Sequence, residues 1–247
     1  MRIKARTRPG HVRQPSISEL IAYAEALVQL YLQAHQKVEI LESLATADIT
    51  DRLQNSHGAN AFDALVNILI EDIIRSACAF ALDQAPATPS VINTWRLADQ
   101  VAVLFALRER FVMAQSTNPA QGRRDFGDTR TPSQRFDDAV VRLRQTVPAV
   151  TAGPLAQKFV TARNKGVAHH EMRNPAGATP RRFDLRNSKI GWEGLREFVE
   201  SLAPLVSDLA LIITGTDYRI LKKHEHHRQN VEDFWARIMG NRAFAPP

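Results

Sequence analysis

The sequence predicts an all-α protein, a bundle of about six to seven helices in a single domain. Three observations carry that expectation. Apolar residues recur at three- and four-residue intervals through most of the chain, β-branched alternating runs are few, and no glycine-rich phosphate loop follows a strand-like segment. With 247 residues, 44% of them apolar and 23% charged, the chain has enough apolar material for a sizeable core.

Residues 1–15 hold Pro9, Gly10 and Pro15 with almost no apolar side chains, and are expected to be a flexible arm. The pattern changes at Ser16, which with Glu19 makes a capping-box start. Leu20, Ala24, Leu27, Tyr31 and Val38 then predict a long helix to about residue 44. Gly58 and its asparagine neighbours break the periodicity. A second helix is expected over 61–82, with Leu65, Ile68, Leu69, Ile73, Ala77 and Phe80 giving a face wide enough for burial on most sides. Glu71, Asp72, Arg75 and Asp83 lie on it, and such charges are costly on a buried helix unless paired or open to a cleft.

Pro86 and Pro89 end that segment, and Ser90 caps a third helix to about residue 115 through Leu97, Val101, Leu104, Phe105 and Phe111. Residues 116–130 read as an exposed loop. Thr131 and Pro132 open a fourth helix, which Pro148, Gly153 and Pro154 close. A fifth runs from 154 through Phe159 to 170. Asn174, Pro175, Gly177 and Pro180 mark a basic linker to Ile190. Leu195, Phe198, Leu202, Leu205, Leu209 and Ile213 define a sixth helix, with a kink expected at Pro204 and closure at Gly215. Asp217 starts a seventh, carrying Ile220, Val231, Phe234, Trp235 and Ile238. The domain is therefore expected over 16–240, with a short tail at 241–247.

Cys78 is the only cysteine, which excludes an intramolecular disulfide and a thiolate zinc cluster within one chain. No apolar run approaches the roughly 18 residues of a membrane span, and no apolar region of a secretory signal follows the basic N-terminus. A cytoplasmic protein with no membrane partner is the expectation. The net charge of +6 is unevenly spread. Residues 1–15 carry five basic and no acidic side chains, residues 16–120 carry 6 basic and 12 acidic, and residues 158–189 carry 8 basic and 2 acidic. Such clustering favours a polyanion through counterion release, although a solvated tail and loop would show the same charge run.

The second basic cluster contains Arg163-Asn164-Lys165-Gly166-Val167-Ala168-His169-His170, which sets a permanent cation, an amide and a titratable imidazole within eight residues. This run resembles the R-x(4 to 6)-H motif of the HEPN superfamily, small all-helical proteins of which many are ribonucleases of bacterial defence and toxin systems. A polar residue after the arginine and a small apolar one before the histidine fit that pattern, as Asn164 and Ala168 do here. The acidic second helix, the proline turn and the amphipathic helix near Trp95 resemble the N-terminal half of the AbiU-type branch.

The resemblance implies a metal-independent endoribonuclease of a toxin–antitoxin or abortive-infection system. The 2′-hydroxyl would be the nucleophile and a 2′,3′-cyclic phosphate the product. Arg163 would bind the scissile phosphate and stabilise its extra negative charge. A histidine would move the proton, and Asn164 would orient the phosphate or the histidine. At about 100° per residue, a regular helix places His170 roughly 20° from Arg163 and His169 about 120° away. The family pattern instead selects His169, because it follows Ala168 and the motif usually lies where the helix is ending; Gly166 weakens the helix there, so the regular construction need not hold. His169 is taken as the first assignment and His170 as its alternative. Lys158, Lys165, Arg173, Arg181 and Arg182 are the candidate RNA contacts, and Asp83 and Asp72 the candidate supporting acids.

One chain supplies only one such motif, so the resemblance implies a homodimer with a composite cleft; RNA is the other expected partner, and an antitoxin protein a further candidate. No cofactor and no metal are expected. Capping of a helix end by Arg163 and His169 would account for the motif without chemistry, and the function alternative is a non-catalytic RNA- or protein-binding helical adaptor. His224, His226 and His227 read first as a solvated helix surface, where only His224 and His227 share a face; capture of zinc by that pair is the other possibility. Trp95, Trp192 and Trp235 fit core or interface positions.

Overall fold

The computed structural model describes residues 15–44, 59–85, 87–117, 129–164, 172–173, 181–182 and 190–239. The fold is all-α. In chain order the helices are α1 (Ile17–Leu44), α2 (Ala59–Ala77), α3 (Val91–Ala98), α4 (Val101–Thr117), α5 (Pro132–Thr151), α6 (Pro154–Ala162), α7 (Trp192–Thr214) and α8 (Ile220–Met239). A π-helical turn, Cys78–Leu82, continues α2, and a short antiparallel ribbon pairs β1 (Met172–Arg173) with β2 (Arg181–Arg182). The expected arm, the loop at 118–128, the motif beyond Asn164 to residue 171, most of the basic linker and the tail lie outside the described residues.

The centre of the molecule is the seam between α1 and α7. Ser16 begins α1 by accepting a hydrogen bond at Oγ from the Glu19 amide, 3.1 Å. Leu20, Ala24, Leu27, Val28, Tyr31, Ala34, Val38, Leu41 and Leu44 then turn one stripe inward. On α7 the stripe is wider, and Leu202, Leu205, Val206, Leu209, Ile212 and Ile213 are buried. The α-helix of α7 continues unbroken through Pro204, which lies on its exposed face. Gly215 closes it at φ 78°, a conformation glycine adopts without a Cβ penalty, and its N–H donates to the Leu211 carbonyl at 2.9 Å. Arg110 and Gln115 of α4 donate to the Ile213 and Gly215 carbonyls, satisfying that end from outside. Helices α2, α3 and α8 pack on α1, whereas α5 and α6 pack on α7.

Three sequence expectations are corrected. The single helix expected over 90–115 is two helices, separated at Asp99 and Gln100. The Asp99 N–H ends α3 on Trp95, its carboxylate receives Nε and Nη2 of Arg144 from α5, and Gln100 starts α4 by accepting from Leu104. After this break the helix turns another face inward. Val101 and Phe105, expected inside, are 86% and 62% exposed. The second helix buries its apolar stripe only from Ile73 onward, and Leu65 and Ile68 face solvent. Its last turn widens to π geometry, with Phe80 and Leu82 still packed inside. The basic linker, expected to be irregular, contains the β1–β2 ribbon, whose register pairs Arg173 with Arg181.

The fourth helix matches its expected start. Thr131 and Gln134 form a reciprocal capping box, with Pro132 in the first turn. Pro148 lies inside its final turn rather than ending it. At Gly153 the chain passes so close to α5 that an added Cβ would stand 2.7 Å from the Ala149 carbonyl oxygen. That closeness turns the chain directly into α6. Among the described residues no helix is long and apolar enough to cross a membrane.

The burial pattern separates two phenylalanines. Phe159 is fully buried, so Phe159→Ala is expected to lower unfolding free energy by about 3–5 kcal/mol. Phe105→Ala, on the exposed face of α4, is expected to change it by no more than about 0.5 kcal/mol. Urea denaturation of both variants measures the contrast.

Candidate functional site

Helix α6 ends at Ala162, immediately before Arg163. Pro154 occupies its first turn, where the missing N–H costs nothing, and Ala156, Phe159 and Ala162 form its buried face. The Phe159 ring packs on Phe198 of α7 with centroids 4.3 Å apart. Directly after the last buried residue, Ala162, the backbone retains right-handed helical angles at Arg163, whose N–H donates to both the Phe159 and Val160 carbonyls. The turn then widens to π geometry at Arg163 and Asn164. Arg163 is half-buried and Asn164 exposed.

Nε of Arg163 donates to Oδ1 of the exposed Asn164 at 3.1 Å. The cation also lies near Cys78, at the start of the π turn of α2. Burial pushes the Cys78 thiol up to about 12, and the positive charge of Arg163 opposes that shift. Thus α6 and the C-terminal end of α2 meet at the arginine. Lys158 is on the exposed side of α6.

The carboxylates are committed elsewhere. Asp83 Oδ1 accepts from the Ala85 N–H at 2.9 Å, while the Asp83 carbonyl accepts from the Ser90 hydroxyl, so this residue ties the turn between α2 and α3. Asp72 pairs with Lys37 of α1 at 2.6 Å, and Lys37 also donates to Ser76 at 3.2 Å. Neither carboxylate contacts Arg163 among the described residues. The β1–β2 register brings Arg173, Arg181 and Arg182 into one ribbon. Lys165, His169 and His170 lie outside the described residues.

The model of the AbiU2 HEPN family matches residues 17–234, nearly the whole described span and all of the motif. The chain belongs to the AbiU2 family of HEPN proteins. No curated protein and no solved structure matches it. Membership of the AbiU2 family suggests an abortive-infection-type function.

A second polar cluster in this AbiU2-family chain was invisible as a unit in the sequence. Tyr31 and His35 on α1 face His224 and His227 on α8. The Tyr31 hydroxyl is 2.7 Å from His224 Nε2, and the His35 and His224 rings stack with centroids 3.7 Å apart and planes 12° apart. The solvated-surface expectation therefore holds for His226, which is exposed, and fails for His224 and His227. A signal was present: Tyr31, His35 and Val38 share the buried stripe of α1 at helical spacing, and His224 and His227 share one face of α8. Among the described residues no group of three or more His, Cys, Asp or Glu is arranged to hold a metal ion. Trp95 is buried, Trp192 is 41% exposed, and Trp235 donates from Nε1 to Ser43 Oγ at 2.7 Å.

The burial of Cys78 has a direct chemical consequence. With the thiol held at about 12, its thiolate fraction at pH 8 is expected to be about a thousandfold below that of a free cysteine. Aromatic disulfide reagents should label it slowly in the native protein and at the free-thiol rate above the urea midpoint. Rapid native labelling would contradict the burial.

Proposed function

We propose that this chain is a metal-independent endoribonuclease acting in abortive infection or as a toxin. The observation that carries the proposal is the presentation of Arg163. A rigidly anchored helix ends one residue earlier, and the guanidinium spends Nε on Asn164 at 3.1 Å, while its two terminal nitrogens have no partner among the described residues and are the donors proposed for a phosphate. Arg163 binds the scissile phosphate and stabilises the charge that grows on its oxygens during attack.

The reaction needs no metal-bound water, because RNA carries its own nucleophile. The 2′-oxygen attacks the adjacent phosphorus and the bond to the 5′-oxygen breaks, giving a 2′,3′-cyclic phosphate and a 5′-hydroxyl. One proton leaves the 2′-hydroxyl and one reaches the departing 5′-oxygen. His169, with His170 as its alternative, moves a proton in this exchange, a role worth roughly 10² to 10⁴ in rate. Asn164 orients the phosphate or the histidine. Lys158, Lys165, Arg173, Arg181 and Arg182 supply phosphate contacts along the strand.

Because one chain offers one arginine and one histidine, two copies meet about a two-fold axis and share a cleft. An antitoxin protein covering that cleft would restrain the activity. Lys158 on α6 and the arginines paired in the ribbon support a polyanionic substrate.

Arg163→Ala and His169→Ala are each expected to lose at least about two orders of magnitude in RNA cleavage, with the helical circular dichroism spectrum retained. Arg163→Ala also weakens RNA binding more than His169→Ala, since phosphate affinity depends on the permanent cation. His170→Ala retains most of the activity, and the reverse pattern would transfer the proton role to His170. EDTA leaves cleavage intact and end-group analysis finds the cyclic phosphate. Binding of RNA without cleavage in the wild type would instead identify a binding module.

Light scattering is expected to report about twice the chain mass of 27.7 kDa. A strict monomer that still cleaves RNA would refute the shared cleft.

A further inference from the structure

The cluster between α1 and α8 serves no purpose in the chemistry assigned to Arg163, yet it occupies the place where α8 is held. Of the described side chains of α8, only Ile220 and Val231 are buried. The rest of the attachment is polar or aromatic. Tyr31 meets His224 at 2.7 Å, His35 stacks on His224 at 3.7 Å, the His35 and His227 rings lie 5.9 Å apart, and Trp235 donates to Ser43 at 2.7 Å. His35 is 2% exposed, and neither its Nδ1 nor that of His227 finds a hydrogen-bond partner among the described residues. Stacked rings cannot turn their nitrogens onto one common cation, but they bring two titratable groups into contact.

We propose that Tyr31, His35, His224 and His227 form a proton-sensitive latch, which holds α8 on α1 while the imidazoles are neutral and releases it when they are protonated. Two imidazolium ions stacked at 3.7 Å would repel in a site shielded from water. Protonation also leaves both ring nitrogens of His224 as donors only, so its 2.7 Å contact with the Tyr31 hydroxyl could persist only with the hydroxyl oxygen accepting. Nothing in this depends on the role given to Arg163.

The groups facing the cluster act in both directions. On α1, Glu39 Oε1 lies 3.5 Å from His35 Nε2, and Glu42 lies one turn further. Burial raises both carboxyls from their ordinary range. On α7, Arg196 bonds Glu200 at 2.8 Å and Glu42 at 3.3 Å, so its cation is shared between them. On α8, Lys223 and His226 stand beside His227, and Arg228 acts on Glu39. Burial dominates this balance: His35 is pushed down to about 3, with His224, His227 and Arg196 adding to the effect, and burial likewise lowers His224 and His227. With His35 neutral, its contact with Glu39 is not an ion pair.

The sign follows from proton linkage. Released histidines regain an ordinary pKa near 6.5, so below that pH the released state binds more protons than the docked one. Docking is therefore fully supported above pH 6.5 and weakens as pH falls toward 3. His35 alone raises the release constant about 30-fold between pH 7.5 and pH 5.0, from the difference between 6.5 and about 3.

Hydrogen exchange of the full-length protein at the two pH values, corrected for intrinsic rates, tests this. Amides of Ile220–Met239 should lose protection by about 30-fold or more at pH 5.0, while those of α5 and α7 stay protected. The double variant His35→Phe/His224→Phe keeps aromatic rings at both positions and should flatten the dependence. If that variant fails to fold, His35→Phe alone should remove about 30-fold of it. Tyr31→Phe should weaken protection at pH 7.5 and leave a pH dependence. Equal protection of α8 at both pH values, parallel loss in α5 and α7, or an undiminished dependence in His35→Phe would each overturn the latch. So would added zinc strengthening α8 protection at pH 7.5, which would make the cluster a metal site.

Discussion

The α1–α7 seam is the constraint from which the rest of the molecule takes its positions. Each of these helices is long enough to present an inward stripe over many turns, and every shorter helix packs on one of them. Helix α6 shows why this matters. Nine residues fall below the length at which an isolated helix is stable in water, about 12 to 15 residues, so its backbone hydrogen bonds cannot hold Arg163 in place alone. The Phe159–Phe198 contact at 4.3 Å and the tight turn at Gly153 do so, and both pass the rigidity of the core to the next residues of the chain.

Buried polarity is handled differently in two regions. Asp208, 6% exposed on α7, receives both Nε and Nη2 of Arg142 at 2.9 Å, a bidentate pair that satisfies the carboxylate where it enters the core. Buried Gln115 likewise spends its amide on Gly215 and its carbonyl on Arg135. The α1–α8 interface lacks such completeness, since His35 and His227 each keep a buried nitrogen without a partner among the described residues. An incompletely satisfied network in a low-dielectric setting is costly, and the cost depends on protonation. Asn93 Oδ1, Thr94 Oγ1 and Arg135 Nε are also buried without a partner among the described residues, but only at α8 are the unpartnered groups imidazoles, so only there does the cost change with protonation near neutrality.

Much of the fold was legible because long helices announce themselves by period and cap. Ser16 with Glu19, Thr131 with Pro132, and Gly215 each mark a boundary through local chemistry, which a sequence encodes directly. The misreadings share one cause: the period shows that a face exists but not what stands against it. Val101 and Phe105 continue the apolar spacing of α3, yet the two-residue break at Asp99 and Gln100 rotates α4 and leaves them outside. Leu65 and Ile68 belong to the stripe of a helix whose first turns overhang the core. Arg163 and Asn164 were legible as a motif because they are adjacent. The Tyr31, His35, His224 and His227 cluster was not, because its halves are 193 residues apart and only tertiary packing joins them.

The π turn Cys78–Leu82 stands between these two polar sites. At its start Cys78 lies within the field of Arg163, and two residues later Phe80 sets its ring edge against Tyr31, with centroids 6.3 Å apart and planes at 84°. An ordinary α-helical continuation would turn these side chains by about 200° over two residues, whereas a π turn winds more slowly and accommodates an extra residue. Such a turn has poorer backbone geometry than an α-helix and persists where the packing around it requires the altered direction. Here α3 and α6 both pack on it, and Cys78, Phe80, Ala81 and Leu82 are all buried. The irregularity is thus the geometric means by which one end of α2 supports the arginine of α6 and the tyrosine of α1 together.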